Sequence, residues 1–244
     1  MLKIRANTKM QQNHDIKIHA GCGMTLIDGW INIDYIPQYQ LRSLVRMLLT
    51  KLGLYPKERY ESFYGRLRAG KTYLNWDLRK RLPFKHNSVT YLYSEHVIEH
   101  LEFLETVNFL SESFRVLKKG GIIRISVPDT RKLAKAYLTD NRDFFTINLP
   151  HIDLKNNEAA IPENYIPMND ILRTITTTGQ LYAYHLYRFG HKWGYDYPSI
   201  EVMLNDAGFS HVREETCHHS QIPDIEEVEQ RGRSHESLYV EAVK

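Results

Sequence analysis

The sequence predicts an α/β protein built on a mostly parallel sheet, with a C-terminal hairpin at one edge. Three observations lead there. Short β-rich runs alternate with segments of helical period, several of those runs stop at glycine, aspartate or proline, and the chain closes on two strand-like runs, Val212 to Cys217 and Ser237 to Val243.

Taken in order, Ile16 to Ala20 is a short strand that stops at Gly21-Cys22-Gly23, and Trp30 to Ile33 is a second that ends at Asp34. Leu41, Leu44, Val45, Leu48, Leu49 and Leu52 recur at helical spacing, with Arg42, Arg46 and Lys51 among them, so a basic amphipathic helix is expected there. Residues 53–70 break the alternation, and we read about 37–70 as an insertion. Val89 to Tyr93 is a buried strand, followed by a helical stretch from Glu95. Leu104, Val107, Leu110, Phe114 and Leu117 fall on one helix face, which we expect to be the buried one. Lys118 and Lys119 suit that helix's C-terminus, and Gly120-Gly121 ends it. Ile122 to Val127 is a strand stopped by Pro128. A weakly patterned stretch from about 130 to 190 is too long for a loop and is expected to be a helical lid. Pro198 to Asp206 is a short helix ended by Gly208. Residues 1–14 are expected to be a flexible arm, and 15–244 a single domain carrying the two insertions.

With 244 residues and 28.8 kDa, the chain has room for one such domain. A hydrophobic share of 42% and a charged share of 25% exclude disorder as the whole answer. No apolar run approaches 18 residues, so no membrane-spanning helix is expected, and the polar, basic N-terminus carries no secretory signal. Two cysteines, Cys22 and Cys217, exclude a disulfide scaffold and a four-cysteine zinc site, and imply a reducing, cytoplasmic home. A net charge of +3 does not by itself imply nucleic acid, and no aromatic-basic stacking pattern stands out. Between Pro37 and Lys71, however, eight basic residues face only two acids. This stretch, 41–71 in particular, either packs on the sheet with its arginines in solvent, which we favour, or meets an anionic membrane or polyanionic glycan at the inner membrane face.

In open α/β sheets ligands sit at the carboxyl ends of the strands, where Gly21-Cys22-Gly23 falls. Leu26 stands where G-x-G-x-x-G needs its third glycine, and Asp34 follows Gly21 by 13 residues, against roughly 20 in the dinucleotide fingerprint. A pyrophosphate wants that glycine at a helix N-terminus. A carboxylate ending the second strand can accept from both ribose hydroxyls. The pattern suits an adenosine ligand without a pyrophosphate, and argues against a nucleotide-sugar oxidoreductase or epimerase.

The run Ile18-His-Ala-Gly-Cys-Gly followed by Gly29-Trp-Ile-Asn-Ile-Asp34 resembles the first motif and ribose acid of class I S-adenosylmethionine-dependent methyltransferases. It is most similar to a short-turn group associated with bacterial surface polysaccharide pathways. Asn75-Trp-Asp77-Leu78 resembles that family's adenine-contacting loop, and Tyr93-Ser-Glu-His-Val-Ile-Glu-His100 its motif after the fourth strand. Phe114 to Pro128, Ala207-Gly-Phe209 and Ser237 to Ala242 resemble its later elements, so the likeness covers most of 16–129 and 195–243. It implies a Rossmann-like, mostly parallel seven-stranded sheet with an antiparallel C-terminal strand, and S-adenosyl-L-methionine as cofactor. It further implies that Gly21, Cys22 and Gly23 approach the methionine part and that Asp34 holds the ribose. Asp77 and the Leu78 backbone then read the adenine, and Ser94 and Glu95 lie beside the cofactor near the acceptor. His19 stands where the family usually has an apolar or acidic residue. The acceptor class implied is a small molecule, a nucleotide-linked or surface-glycan sugar foremost, with no nucleic acid. A methyltransferase-like scaffold without activity, or a nucleotide-sugar oxidoreductase or epimerase, is the alternative.

His96-Val-Ile-Glu-His100 also matches H-x-x-E-H, an inverted zinc-protease string. No third ligand follows at a set spacing, so no metal is expected from the sequence, and Glu99 or His100 is expected to bond its neighbours instead. Methyl transfer to a hydroxyl or protonated amine requires the acceptor to lose a proton. His191 and His96 are the first candidates for that base, with Asp129, after the fifth strand, as a group that orients the base or binds the acceptor.

Overall fold

The computed structural model describes residues 15–23, 25–35, 51–53, 71–147 and 175–244. Seven strands form one sheet: β1 (Lys17–Ala20), β2 (Ile31–Asp34), β3 (Tyr73–Asn75), β4 (Val89–Glu95), β5 (Leu117–Pro128), β6 (Ser210–Glu215) and β7 (Ser237–Val243). Their order is β3-β2-β1-β4-β5-β7-β6. β3, β2, β1, β4 and β5 pair in parallel, and β7 runs antiparallel to both β5 and β6. This is the Rossmann-like sheet with one antiparallel strand that the resemblance implied.

The order reverses at β1, which lies between β2 and β4, so the carboxyl ends of these strands border a crevice at the sheet's switch point. The central strands are apolar on both faces, as parallel strands must be when both faces are covered. One face carries Ile18, Ile33, Leu92, Ile123, Ile125, Leu238 and Val240. They pack with Phe109 and Leu110 of helix α1 (Phe103–Val116) and with Ile200 and Leu204. The other face carries Trp30, Tyr93 and Ile122 under Ile222, Ile225 and Val228.

Buried within that second face, Arg124 donates to both carboxylate oxygens of Glu229, to Glu241 Oε1 at 3.0 Å and to the carbonyls of Thr216 and His219, and its guanidinium lies over the Tyr239 ring. Every partner belongs to residues 216–241, so one side chain of β5 ties this C-terminal segment beneath the sheet.

Three further helices, α2 (Thr130–Leu138), α3 (Arg142–Thr146) and α4 (Thr178–Tyr187), share a small core of Leu133, Ala136, Phe145 and Leu181. Helix α5 (Tyr197–Asp206) starts at the Asp196 capping box and carries Pro198 in its first turn. A last short helix, α6, is Ile225–Val228.

Three expectations are corrected. The buried face of α1 is Thr106, Phe109, Leu110, Ser113 and Val116, whereas Leu104 and Val107 are exposed. The helix ends at Val116, and Lys118-Lys119-Gly120-Gly121 lies in β5, where the pairing with β4 shifts register between Val89 and Tyr91. Glu95 ends β4 rather than starting a helix, and only the short 3₁₀ turn Ile98–His100 precedes α1. The arm at 1–14, the basic helix at 41–52 apart from its last two residues, and residues 148–174 of the expected lid lie outside the described residues. No described helix is long and apolar enough to cross a membrane.

Candidate active site

β1 ends in a turn that leaves no space for a side chain at Gly21. The Gly21 and Cys22 amides donate to the Ile33 carbonyl at 2.8 and 3.1 Å, which pins the turn to β2. Gly21 has φ +74°, and a Cβ there would stand 1.9 Å from Val97 Cγ2. Only glycine fits both conditions. Leu26 is buried, so the chain after the turn packs inward where a pyrophosphate loop would carry a third glycine.

The turn borders a cleft of about 300 Å³, which is also lined by His19, Thr25, Glu95, His96, His100, Phe189, His191, Gln230 and Arg233. Of the residues expected from the sequence, Gly21, Cys22, Gly23, Glu95, His96 and His191 therefore meet at one place. Asp34 stands one strand away and accepts from the Gly23 and Tyr35 amides at 2.6 Å each. Burial raises the Asp34 carboxyl above its ordinary range, against those two bonds. Burial and the Asp34 charge both push the Cys22 thiol up, which disfavours a thiolate at this position.

The other expected residues do not line the cleft. Asp77 holds Arg79 through two bonds of 2.8 and 2.9 Å, and that guanidinium keeps its carboxyl below the usual carboxylate range. Leu78 is part of the main core. Ser94 is buried between β1 and β5, and its hydroxyl has no hydrogen-bond partner. Asp129 caps α2, accepting from the Arg131 and Lys132 amides, and does not line the cleft.

Sequence reasoning left several lining residues unassigned. His19 is buried, its Nδ1 lies 3.3 Å from Asn32 Oδ1, and its ring stacks on Tyr93. Burial lowers its pKa to about 4, with the Asn32 contact opposing. Asn32 Oδ1 already accepts from the Ile27 amide, so it is the acceptor toward Nδ1 as well. Gln230 and Arg233 come from the segment between β6 and β7, where no motif marks them. Burial raises the pKa of Glu95, while His96 and Arg233 pull it back.

The histidines sort by what holds them. His96 adopts φ +50°, and both its ring nitrogens are occupied, Nδ1 by Glu99 Oε1 at 3.0 Å and Nε2 by Ser237 Oγ at 2.9 Å. Glu99 is buried. Burial works to raise its pKa, but the bond to His96 and the neighbouring histidines overcome this and leave it below the ordinary value. The Lys192 amide donates to the Glu99 carbonyl at 2.7 Å, which clamps the segment after α4 against the segment after β4. His191 thereby meets His100 edge-on, with ring centroids 4.8 Å apart.

A family model described as a methyltransferase domain matches residues 57–125, beginning within the expected basic insertion and ending in β5. No curated protein matches the chain. Among solved structures, an S-adenosylmethionine-dependent methyltransferase from Archaeoglobus fulgidus is similar at 11% identity and TM-score 0.48, over 94% of this chain and 86% of that one. One from Mesorhizobium loti is similar at 17% identity and TM-score 0.45, over 94% and 90%. Phosphoethanolamine N-methyltransferase 2 from Haemonchus contortus, in complex with S-adenosyl-L-methionine, is similar at 13% identity and TM-score 0.47. There the match covers 96% of this chain but 49% of that one.

Proposed function

We propose that the protein transfers the methyl group of S-adenosyl-L-methionine to an oxygen or nitrogen of a small acceptor, a sugar of nucleotide-linked or surface-glycan metabolism foremost. The observation that carries the reading is the Gly21 turn. The two glycines flanking Cys22 open on the cleft at the switch point of the sheet, one strand from a carboxylate, with Leu26 buried where a dinucleotide site needs glycine. The methyltransferase-domain match over 57–125 supports it.

The residues present fit the cofactor. Gly21, Cys22 and Gly23 form the surface for its methionine part, and Asp34 supplies the ribose acceptor. Glu95 and Arg233, one anion and one cation on the same cleft, complement the two charges of an amino-acid end. Asp77 reaches the adenine only by sharing its carboxylate with Arg79. Bound there, the cofactor supplies an already activated methyl group, so the protein's task is to align the acceptor and exclude water.

His96 is held at both nitrogens and is a positioning residue. The acceptor's reacting atom belongs beside His100 and His191, where Phe189 offers an aromatic face for a sugar ring. His191→Gln then lowers kcat, on the order of 10²–10⁴-fold if it acts on the acceptor's proton, with cofactor affinity unchanged. The basic stretch at 41–71 suits the phosphates of a nucleotide- or lipid-linked sugar.

Isothermal calorimetry with S-adenosylmethionine and its demethylated product tests the cofactor. A protein that binds neither, yet binds a nicotinamide dinucleotide, overturns the reading. Incubation with labelled cofactor and fractionated source extract tests the acceptor. A labelled RNA or protein, with no labelled saccharide, rejects the sugar.

A further inference from the structure

We propose that Glu99, His100 and His191 bind a divalent first-row transition-metal ion in the wall of the cleft. A carboxylate oxygen of Glu99 and one ring nitrogen each from His100 and His191 lie within 4.8 Å of one another. Two imidazoles and one carboxylate are the donor set of many catalytic zinc sites, which leave a further position open for water or substrate. His100 and His191 line the cleft, so such a position is available to a molecule bound there.

One observation independent of the cluster's geometry points to a ligand rather than to packing. Glu99 Oε1 is taken by His96, but Oε2 is buried and has no hydrogen-bond partner. A carboxylate oxygen buried in that state is costly, and a cation resolves the cost.

The ligands come together through the fold. Glu99 and His100 are adjacent on the 3₁₀ turn after β4, whereas His191 is brought in by the Lys192 amide bond to the Glu99 carbonyl. The H-x-x-E-H string suggested His96 and His100 as the pair. The structure gives His96 the supporting task instead, since it orients Glu99 through Oε1 as partners behind metal ligands do. A second cluster, Cys217, His218 and Glu229, has the right residue types but different employment. Both Glu229 oxygens hold Arg124, and the His218 nitrogens meet Arg231 and the Glu229 carbonyl.

The test is metal uptake, and it does not depend on methyl transfer. Chelator-treated full-length protein, shown folded by circular dichroism, is titrated with Zn²⁺ in equilibrium dialysis and with Co²⁺ in the visible spectrum. One ion per chain and a Co²⁺ d–d band are expected. His100→Ala and His191→Ala each weaken Zn²⁺ binding by about 100-fold or more, at least the scale seen when supporting partners are removed. His218→Ala leaves uptake and spectrum unchanged. His191 is half-buried, so its variant is informative even if Glu99→Gln fails to fold. No stoichiometric uptake by the wild type, uptake unaffected by His191→Ala, or a Co²⁺ band lost in His218→Ala each overturns the proposal. A metal-bound His191 has no free lone pair for an acceptor's proton, so this site replaces the base role given to His191 above. Cofactor calorimetry on the same samples keeps the metal and cofactor readings separate, because either ligand can bind without the other.

Discussion

Val97 Cγ2 occupies the position next to Gly21 where a side chain would begin, 1.9 Å from the site of a Cβ. Val97, two residues past the end of β4, thus closes one side of the turn after β1, and that turn lines the cleft. Valine is stiff at χ1 and cannot simply rotate aside.

Gly21→Ala should therefore cost stability twice, through the contact with Val97 and through a positive φ on a residue with a Cβ. Each contribution is roughly 1–3 kcal/mol. Urea unfolding measures the total, and Gly21→Ala with Val97→Ala should recover the steric part only. Wild-type stability in the single variant would remove the turn from the account of the cleft.

Asp34→Ala should weaken binding of S-adenosylhomocysteine by about 1–3 kcal/mol, the cost of unmade hydrogen bonds to a charged group. The variant also leaves the Gly23 and Tyr35 amides without their acceptor, so Asp34→Asn is the gentler comparison. Calorimetry beside circular dichroism decides. Unchanged affinity in a folded Asp34→Ala protein means that the ribose is held elsewhere.

Arg124→Met should destabilise the protein by roughly 3–5 kcal/mol, because Glu229 and Glu241 remain buried without their cation. Adding Glu229→Gln and Glu241→Gln should restore part of the loss. Denaturant midpoints at matched slope read both changes. A single variant within about 1 kcal/mol of wild type would show that the pair carries little weight.

His19 sets a dependence on pH. Its pKa falls from 6.5 to about 4 on folding, so between those values the unfolded chain binds more protons. Its contribution is complete above about pH 6.5 and is lost as pH falls toward 4, by about 3 kcal/mol. The raised carboxyls of Asp34 and Glu95 act in the opposite sense. His19→Gln isolates the histidine, and its unfolding free energy should fall less steeply with acid over that interval. Parallel profiles for variant and wild type would contradict this.

The sheet was legible because its strands are apolar runs punctuated by glycine, aspartate and proline. β3 was not singled out, being three residues long at the sheet's edge. The buried face of α1 is not its most apolar one, since Leu104 and Val107 face solvent. Thr106 and Ser113 go inside since their hydroxyls bond the Ile98 and Phe109 carbonyls, and Thr106 also accepts from Tyr195. In the site, the glycine turn follows from local spacing and Glu95 from the family resemblance. His100 meeting His191 follows from neither, because the meeting depends on backbone bonds from the Lys192 and Trp193 amides to the Glu99 carbonyl, across some ninety residues. Gln230 and Arg233 have no local signature, and His19 was noticed only as an odd residue in its position.

β7 lies between β5 and β6 rather than at the sheet's rim. A ribosome makes β5 more than a hundred residues before β7. For that interval the apolar flank of Ile122 to Val127 is an open edge, free to pair with another chain. Arg124 also waits for Glu229 and Glu241 over the same span. Assembly of this half of the sheet is thus a late event in synthesis, and the nascent chain passes through a stage in which aggregation competes with completion.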